Sequence, residues 1–249
     1  KLRRTSAHHD GVADAINRLL QNLVIKCAKE EGIRDYFHVS VIGYGAHVGP
    51  AFAGALAGRQ LVPISEVGNS PARIEQRNKK VSDGAGGLVD QQVRFPVWFE
   101  AVANGGTPMR QALGEAKLVV EGWLNQHPNC FPPIVINITD GEATDGDPTP
   151  AAEEIRKLKS NDGEVLLFNV HLSSQRAAAI EYPATESGLP DQFAQQLFRM
   201  SSALPGYMVD IARKESMNVS EGSRGFVFNA DMVAVIKFLD IGTRPSALR

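Results

Sequence analysis

Residues 133–142 read PIVINITDGE, an apolar, β-branched run that ends in Thr-Asp-Gly-Glu. Such a run is typical of a strand that is covered on both faces of its sheet. A second run, VLLFNVHL, occupies residues 165–172, and amphipathic helices are predicted before, between and after the two runs. Strands that alternate with helices of about ten residues or more predict an α/β fold, a doubly wound and mostly parallel sheet with helices on both faces.

The remaining elements follow from the helical and strand periodicities of the apolar residues. Helices are predicted from Val12 to about Gly32, from Pro108 to about Gln126, from Pro150 to Lys159, from Asp191 to about Ser216 with a break near Pro205–Gly206, and from Asp231 to Asp240. Further strands are predicted at residues 38–45, 88–99 and 225–228. Pro96 favours an edge position for the strand at 88–99, because proline cannot donate a ladder hydrogen bond, and we expect one antiparallel edge strand in the sheet.

The predicted elements also suggest a domain organisation. Residues 1–11, which are basic and polar, predict a flexible N-terminal segment. Residues 12–245 predict a single domain that carries an insertion at about 46–87, because this connection is long for a compact domain. Within the insertion, GPAFAGALAG at 49–58 indicates either an exposed apolar surface or, as we expect, a helix packed on the sheet edge.

Composition excludes several classes of protein. The chain has 249 residues, a formal net charge of −2 and 43% hydrophobic residues, which are ordinary globular values. A net charge so near zero gives no reason to expect nucleic acid or an anionic membrane as a partner. No apolar run approaches the ~18 residues that a membrane span needs. Cys27 and Cys130 lie far apart, which argues against a disulfide framework and a cysteine-based zinc site.

Two segments carry candidate functional residues. In Gly105–Met109 (GGTPM), Pro108 fits the first helical turn and Thr107 the N-cap. In the ITDGE segment, Asp140 falls where a buried strand ends, which is where open α/β sheets bind ligands. A hydroxyl and a carboxylate that meet there would suit a hard cation such as Mg²⁺. The structural alternative is that Thr107 only caps a helix and Asp140 lies in a solvated turn.

The histidines give weaker signals. His8, His9 and Asp10 could bind a metal in principle, but a solvated tail is the expected interpretation. His171 lies in an apolar run, so we interpret it as a hydrogen-bonded sheet residue rather than a ligand.

The ordered pair GGTPM at 105–109 and ITDGE at 138–142 resembles the second and third metal-site motifs of the von Willebrand factor type A (vWA) domain, a Rossmann-like fold. The resemblance implies a metal-ion-dependent adhesion site in which Thr107 and Asp140 are metal ligands. It also implies that Mg²⁺, or Mn²⁺ or Ca²⁺, keeps one position open for an acidic side chain of a partner protein. The insertion resembles that of bacterial, intracellular vWA proteins, including those near tellurite-resistance and stress-response genes, which implies a cytoplasmic protein.

The chain departs from the vWA pattern at the first motif, because no aspartate begins Asp-x-Ser-x-Ser. The motif would precede the helix that starts at Val12, where KLRRTSAHHD stands. We expect the corresponding strand and motif upstream of Lys1; the alternative is that they have been lost. Thr107 and Asp140 alone predict that metal occupancy in this chain is weak or absent.

The favoured function is therefore that of a cation-dependent protein-binding module, in a bacterial stress-response or signalling complex, rather than an enzyme. One alternative is a scaffold that docks a partner through residues 46–87 without metal. A further alternative is a metal-assisted phosphohydrolase that uses Asp140, Asp145 and Asp147. Oligomeric state is not predicted.

Overall fold

The computed structural model describes residues 2–82, 87–100, 105–172 and 178–229, and the helix predicted at 231–240 lies outside them. The helices of the described residues are α1 (Leu2–Cys27), α2 (Ile64–Asn69), α3 (Met109–Gln126), α4 (Thr149–Lys157), α5 (Gln192–Met200) and α6 (Gly206–Lys214), with a short 3₁₀ helix at Gly54–Leu56. The strands are β1 (Ala28–Lys29), β2 (Gly32–Ile33), β3 (His38–Val39), β4 (Ile42–Tyr44), β5 (Val48–Pro50), β6 (Val62–Pro63), β7 (Arg73–Ser82), β8 (Leu88–Val97), β9 (Ile134–Thr139), β10 (Lys159–Ser160), β11 (Gly163–Glu164), β12 (Leu166–His171), β13 (Ile180–Glu181) and β14 (Phe226–Phe228). The predicted mixture of helices and strands is confirmed.

Backbone contacts divide the chain into two compact units. The first comprises Lys1–Gly43 and Gly49–Ala103, and the second comprises Tyr44–Val48 and Asn104–Arg249. The predicted insertion at 46–87 coincides with neither unit, because β7 inside it pairs along its whole length with β8 outside it. The single domain over residues 12–245 stays a prediction.

A four-stranded sheet in the order β13-β14-β12-β9 forms the centre of the second unit. β12 runs parallel to β9, from Leu166 opposite Ile134 to His171 opposite Thr139, and also parallel to β14. The antiparallel edge strand is β13, not the strand predicted for that position at 88–99. That strand forms a separate two-stranded ribbon with β7, in which Pro96 lies opposite Ile74. A two-stranded ribbon accepts a residue without an N–H as readily as a sheet edge does, so the proline did not distinguish the two arrangements.

Helices α3, α4 and α5 share a hydrophobic core with β12 and β14. Every residue of β12 is buried, as its nearly continuous apolar sequence predicted. Each large apolar side chain that is fully buried contributes about 1.5–3 kcal/mol relative to an exposed one. The buried residues of this core include Met109, Leu113, Ile155, Leu167, Phe193, Leu197, Phe198, Phe226 and Phe228.

The first unit packs α1 and α2 with the base of the β7–β8 ribbon. The Asn17 carboxamide on α1 accepts a hydrogen bond from the Trp98 N–H (2.8 Å) and donates one to the Phe99 carbonyl (3.0 Å). The Trp98 indole N–H donates to the Val67 carbonyl at the end of α2. These bonds satisfy polar groups inside the core and fix where the ribbon ends.

Three local predictions in the first unit can be compared with the structure. Helix α1 begins at Leu2, upstream of the predicted start at Val12, and the flexibility predicted for residues 1–11 stays a prediction. The other two predictions are wrong. The strand at 38–45 is two short, partly exposed strands, β3 and β4, rather than one buried strand. The stretch 49–58 holds the end of β5 and a 3₁₀ turn rather than the expected helix, and it buries Phe52 and Leu56.

The cysteines and the helices bear on the disulfide-linked and membrane-spanning classes of protein. Cys27 and Cys130 are both free thiols. Among the described residues, every helix is too short or too polar to span a bilayer.

Candidate cation-binding site

The turn that carries Asp140 follows β9 directly and is shaped by the preceding residue. The Thr139 hydroxyl donates a hydrogen bond to the Gly141 carbonyl (2.9 Å), and the Gly141 N–H approaches the same hydroxyl at 3.3 Å. When a threonine side chain forms a hydrogen bond with the backbone two residues later, it stabilises a tight turn and ends the strand. Asp140 lies between these residues and is exposed at the carboxyl end of the strand.

The loop that carries Thr107 is hydrogen-bonded to residues just beyond this turn. The Thr107 N–H donates to the Thr144 hydroxyl (2.8 Å), and the Thr144 N–H donates to the Thr107 carbonyl (2.9 Å). A Cβ atom on Gly106 would lie 2.5 Å from the Thr144 hydroxyl oxygen, so only glycine allows this approach. Gly105 has a positive φ of 90°, which side chains rarely adopt. Both glycines of the GGTPM segment are therefore required by the geometry of the loop.

These contacts bring the two candidate segments together. The Thr107 hydroxyl oxygen lies 3.5 Å from the position that a Cβ atom on Gly141 would occupy. Gly141 is the residue next to Asp140, so the hydroxyl faces the turn that carries the carboxylate. Joint ligation of one ion by Thr107 and Asp140 stays a prediction.

The interpretation of Thr107 as a helix cap is wrong. The N-cap position of α3 is Pro108, and no side chain of that residue or of Thr107 caps the helix. The Asp145 carboxylate does so instead, since it accepts hydrogen bonds from the N–H groups of Arg110 (3.1 Å) and Gln111 (2.8 Å). A carboxylate at a helix N-terminus satisfies donors that have no partner within the helix, and it interacts favourably with the helix dipole.

Asp147, the other carboxylate considered for catalysis, also has a structural role. It accepts hydrogen bonds from the Thr149 N–H and from the Gln196 side chain, both at 2.9 Å. The bonds from Thr149, which begins α4, lower the pKa of this carboxyl group. No group of three or more histidine, cysteine, aspartate or glutamate side chains is arranged to hold a metal within the described ranges. The carboxylates of Asp145 and Asp147 thus accept hydrogen bonds from backbone N–H groups at the starts of α3 and α4.

Sequence reasoning missed the polar residues behind the Asp140 turn. The Tyr44 hydroxyl lies 2.7 Å from the Asn137 side-chain oxygen and 2.8 Å from the Ile138 carbonyl oxygen. Asn137 donates to the Asn169 side-chain oxygen (2.8 Å), and Asn169 donates to the Ser201 hydroxyl (2.9 Å). Burial raises the pKa of the Tyr44 hydroxyl, and the charge of Asp140 acts in the same direction.

His171 lies at the same end of the sheet, since it ends β12 opposite Thr139. Its carbonyl accepts a hydrogen bond from the Asn229 N–H (2.7 Å), and its ring packs edge-on against Phe193 and Phe228. The side chain is only 4% exposed, and its Nδ1 atom has no hydrogen-bond partner within the described residues. Burial lowers the pKa of the imidazole, although the charges of Asp191 and Asp140 oppose this shift. The prediction of a sheet residue is confirmed, but the ring is packed rather than hydrogen-bonded at Nδ1.

The solvated tail expected at His8, His9 and Asp10, and the alternative of a metal site there, concern side chains outside those that the structure describes. Comparison of the chain with protein-family models, with curated proteins and with solved structures finds no match. The resemblance to the vWA domain therefore stays a prediction, which rests on the two motifs and on the predicted order of the elements.

Proposed function

We propose that this chain is a divalent-cation-dependent protein-binding module with a doubly wound, vWA-like fold, and that it recognises an acidic side chain of a partner protein. A cytoplasmic location is part of the proposal, through the resemblance to intracellular vWA proteins. The observation that supports it most is the pair of hydrogen bonds between Thr107 and Thr144, which sets the Thr107 hydroxyl beside the turn of Asp140.

The side chains present fit a hard cation in kind. A hydroxyl and a carboxylate are oxygen donors, and Mg²⁺ is commonly held by one or two protein ligands while it keeps several waters. Thr107 and Asp140 would hold the ion, which would supply a positive charge to an incoming carboxylate. With these two donors alone, we expect weak binding. The exposure of Asp140 at the strand end leaves the site open to a partner.

The residues around the site position the donors rather than react. Thr144 and Gly106 set the Thr107 loop, and Thr139 shapes the turn of Asp140. The role of Asp145 at the start of α3 and of Asp147 at the start of α4 argues against a phosphohydrolase that uses both as metal ligands. We therefore propose binding without catalysis.

Isothermal titration with Mg²⁺ and Mn²⁺ tests the proposal. We expect a binding heat for the whole chain that disappears in Asp140→Ala and in Thr107→Val, because each substitution removes one oxygen donor. Thr107→Ser retains the hydroxyl and should retain the heat. Glu142→Gln is the matched control, since Glu142 is an exposed carboxylate two residues from Asp140.

Absence of heat with both metals, or heat that Asp140→Ala leaves unchanged, would refute the metal site. A partner-binding assay with and without EDTA then separates this module from the scaffold alternative. Binding that survives the chelator would support docking through residues 46–87 instead.

A further inference from the structure

Two arginines of the second unit converge on one carbonyl group at the amino ends of the parallel strands. Arg224, two residues before β14, donates a hydrogen bond to the Ser201 carbonyl at 2.7 Å. Arg156, near the end of α4, approaches the same carbonyl oxygen at 3.4 Å. The neighbouring Ser202 hydroxyl accepts from the N–H of Leu167, near the start of β12. This cluster therefore lies at the end of the sheet opposite Asp140.

Among the described residues, neither Arg156 nor Arg224 forms an ion pair, whereas the adjacent Arg199 is paired with Glu186 at 2.9 Å. The Arg156 Nε atom is buried and has no hydrogen-bond partner in the same part of the chain. Burial lowers the pKa of Arg224, and the positive charge of Arg156 lowers it further.

Structural contacts account for each arginine singly, since Arg156 lies in the last turn of α4 and both side chains donate to the Ser201 carbonyl, but they do not account for two cations at one point. The Ser201 carbonyl follows the C-terminus of α5, where one cation is favourable, and the Arg224 guanidinium also lies 5.2 Å from the centre of the Phe198 ring. A second, partly desolvated cation at the same point adds repulsion, and its buried N–H donor costs stability when it is left unsatisfied. An anion bound between the two guanidinium groups would offset the repulsion between them.

We propose that Arg156 and Arg224 form a binding site for a phosphate-type oxyanion. Two guanidinium groups match the charge of a phosphate dianion, and their planar sets of N–H donors suit its oxygen atoms better than lysine would. The ligand is inorganic phosphate or the phosphate group of a small phosphomonoester. The site is distinct from the Asp140 end of the sheet and is independent of the cation proposal.

Titration of the whole chain in metal-free buffer at constant ionic strength tests this site. The probes are inorganic phosphate, O-phosphoserine and acetate, and the readouts are binding heat and the shift in Tm. We expect saturable binding of at least one phosphate compound and none of acetate. Arg156→Gln should weaken binding by about tenfold or more, the loss expected for one charge-assisted contact. Arg199→Gln is the matched control and should bind as the unmodified chain does.

Arg224→Gln also removes the hydrogen bond to the Ser201 carbonyl, so a loss of phosphate binding in that variant is interpreted only after circular dichroism shows that it is folded. Arg156→Lys tests the site without this complication, because it retains the positive charge but loses the planar set of N–H donors. We expect it to bind phosphate more weakly than the unmodified chain. Tighter binding of O-phosphoserine than of phosphate assigns a phosphomonoester, and the reverse assigns free phosphate. Equal responses to phosphate and acetate, or binding that Arg156→Gln leaves unchanged, would overturn the proposal.

Discussion

The two ends of the parallel strands in the second unit differ in the chemistry of their side chains. At the carboxyl ends, the Thr107 hydroxyl faces the turn of Asp140, so the groups are oxygen atoms. At the amino ends, Arg156 and Arg224 share one carbonyl, so the groups are N–H donors with positive charge. The strands between are mainly apolar, apart from a few buried polar residues. The comparison shows that strand interiors set the fold, while the flanking loops set which sign of charge each end can attract.

One chain of buried polar groups connects the two ends. It runs from Tyr44 through Asn137 and Asn169 to Ser201, whose carbonyl holds Arg224. Asn137 and Asn169 lie opposite each other on adjacent strands. Such a network stabilises the fold only while every member keeps its partner.

Breaking this connection should have the largest effect. Asn169→Leu leaves the amide of Asn137 without its oxygen acceptor and the hydroxyl of Ser201 without a donor. We expect the free energy of unfolding to fall by about 3 kcal/mol, the cost of leaving buried polar groups unsatisfied. Urea unfolding followed by circular dichroism measures it. Asn125→Leu, an exposed asparagine on α3, is the control, and a loss below about 1 kcal/mol in Asn169→Leu would contradict a shared network.

A smaller effect is expected from a change confined to the carboxyl end. Asp145→Ala removes the cap of α3 and should lower the free energy of unfolding by about 1.5 kcal/mol. The measurement is made in EDTA, so that metal binding does not contribute. If Asp145 served as a metal ligand and not as a cap, the substitution would leave stability in EDTA unchanged. Glu142→Ala, in the same loop, should have no effect.

The smallest effect is expected for His171, at the carboxyl end of β12, which makes the free energy of unfolding depend on pH. Its pKa is below the ordinary value of 6.5, so the unfolded chain binds the proton more readily than the folded chain does. Stability from this residue is complete above about pH 6.5 and is lost as the pH falls below it, by at most about 1 kcal/mol per pH unit near pH 6. His171→Gln should flatten the pH dependence of the unfolding free energy between pH 7 and 5. His127→Gln, which changes an exposed histidine, should leave it as it is.

The second unit could be predicted far better than the first. The apolar runs at 133–139 and 165–172 became β9 and β12, and the helix expected at Pro108–Gln126 became α3, because these elements are long and strongly periodic. The first unit depends on contacts between segments distant in sequence. The ribbon partner β7 has a polar sequence, with no apolar alternation to indicate a strand.

The candidate site could be predicted in part. The GGTPM and ITDGE segments identified the loops that meet, but not the residue that caps α3, because Asp145 reaches a helix that lies 35 residues earlier. The buried asparagines did leave a signal, since each interrupts an apolar run at an equivalent register position. Arg156 and Arg224 left none, because they come from separate segments and meet only through Ser201.

The Asn17 carboxamide has one N–H donor group and one carbonyl acceptor, as a peptide unit has. It forms the two hydrogen bonds that a neighbouring strand would otherwise form. A helix thereby completes the hydrogen bonding of the Trp98 N–H and the Phe99 carbonyl, at the point where the ribbon ladder stops. Trp98 and Phe99 are both buried, so an N–H or a carbonyl group left open there would carry the cost of an unsatisfied polar group inside the core. One side chain removes that cost for both groups, so the fold needs no additional strand at this point.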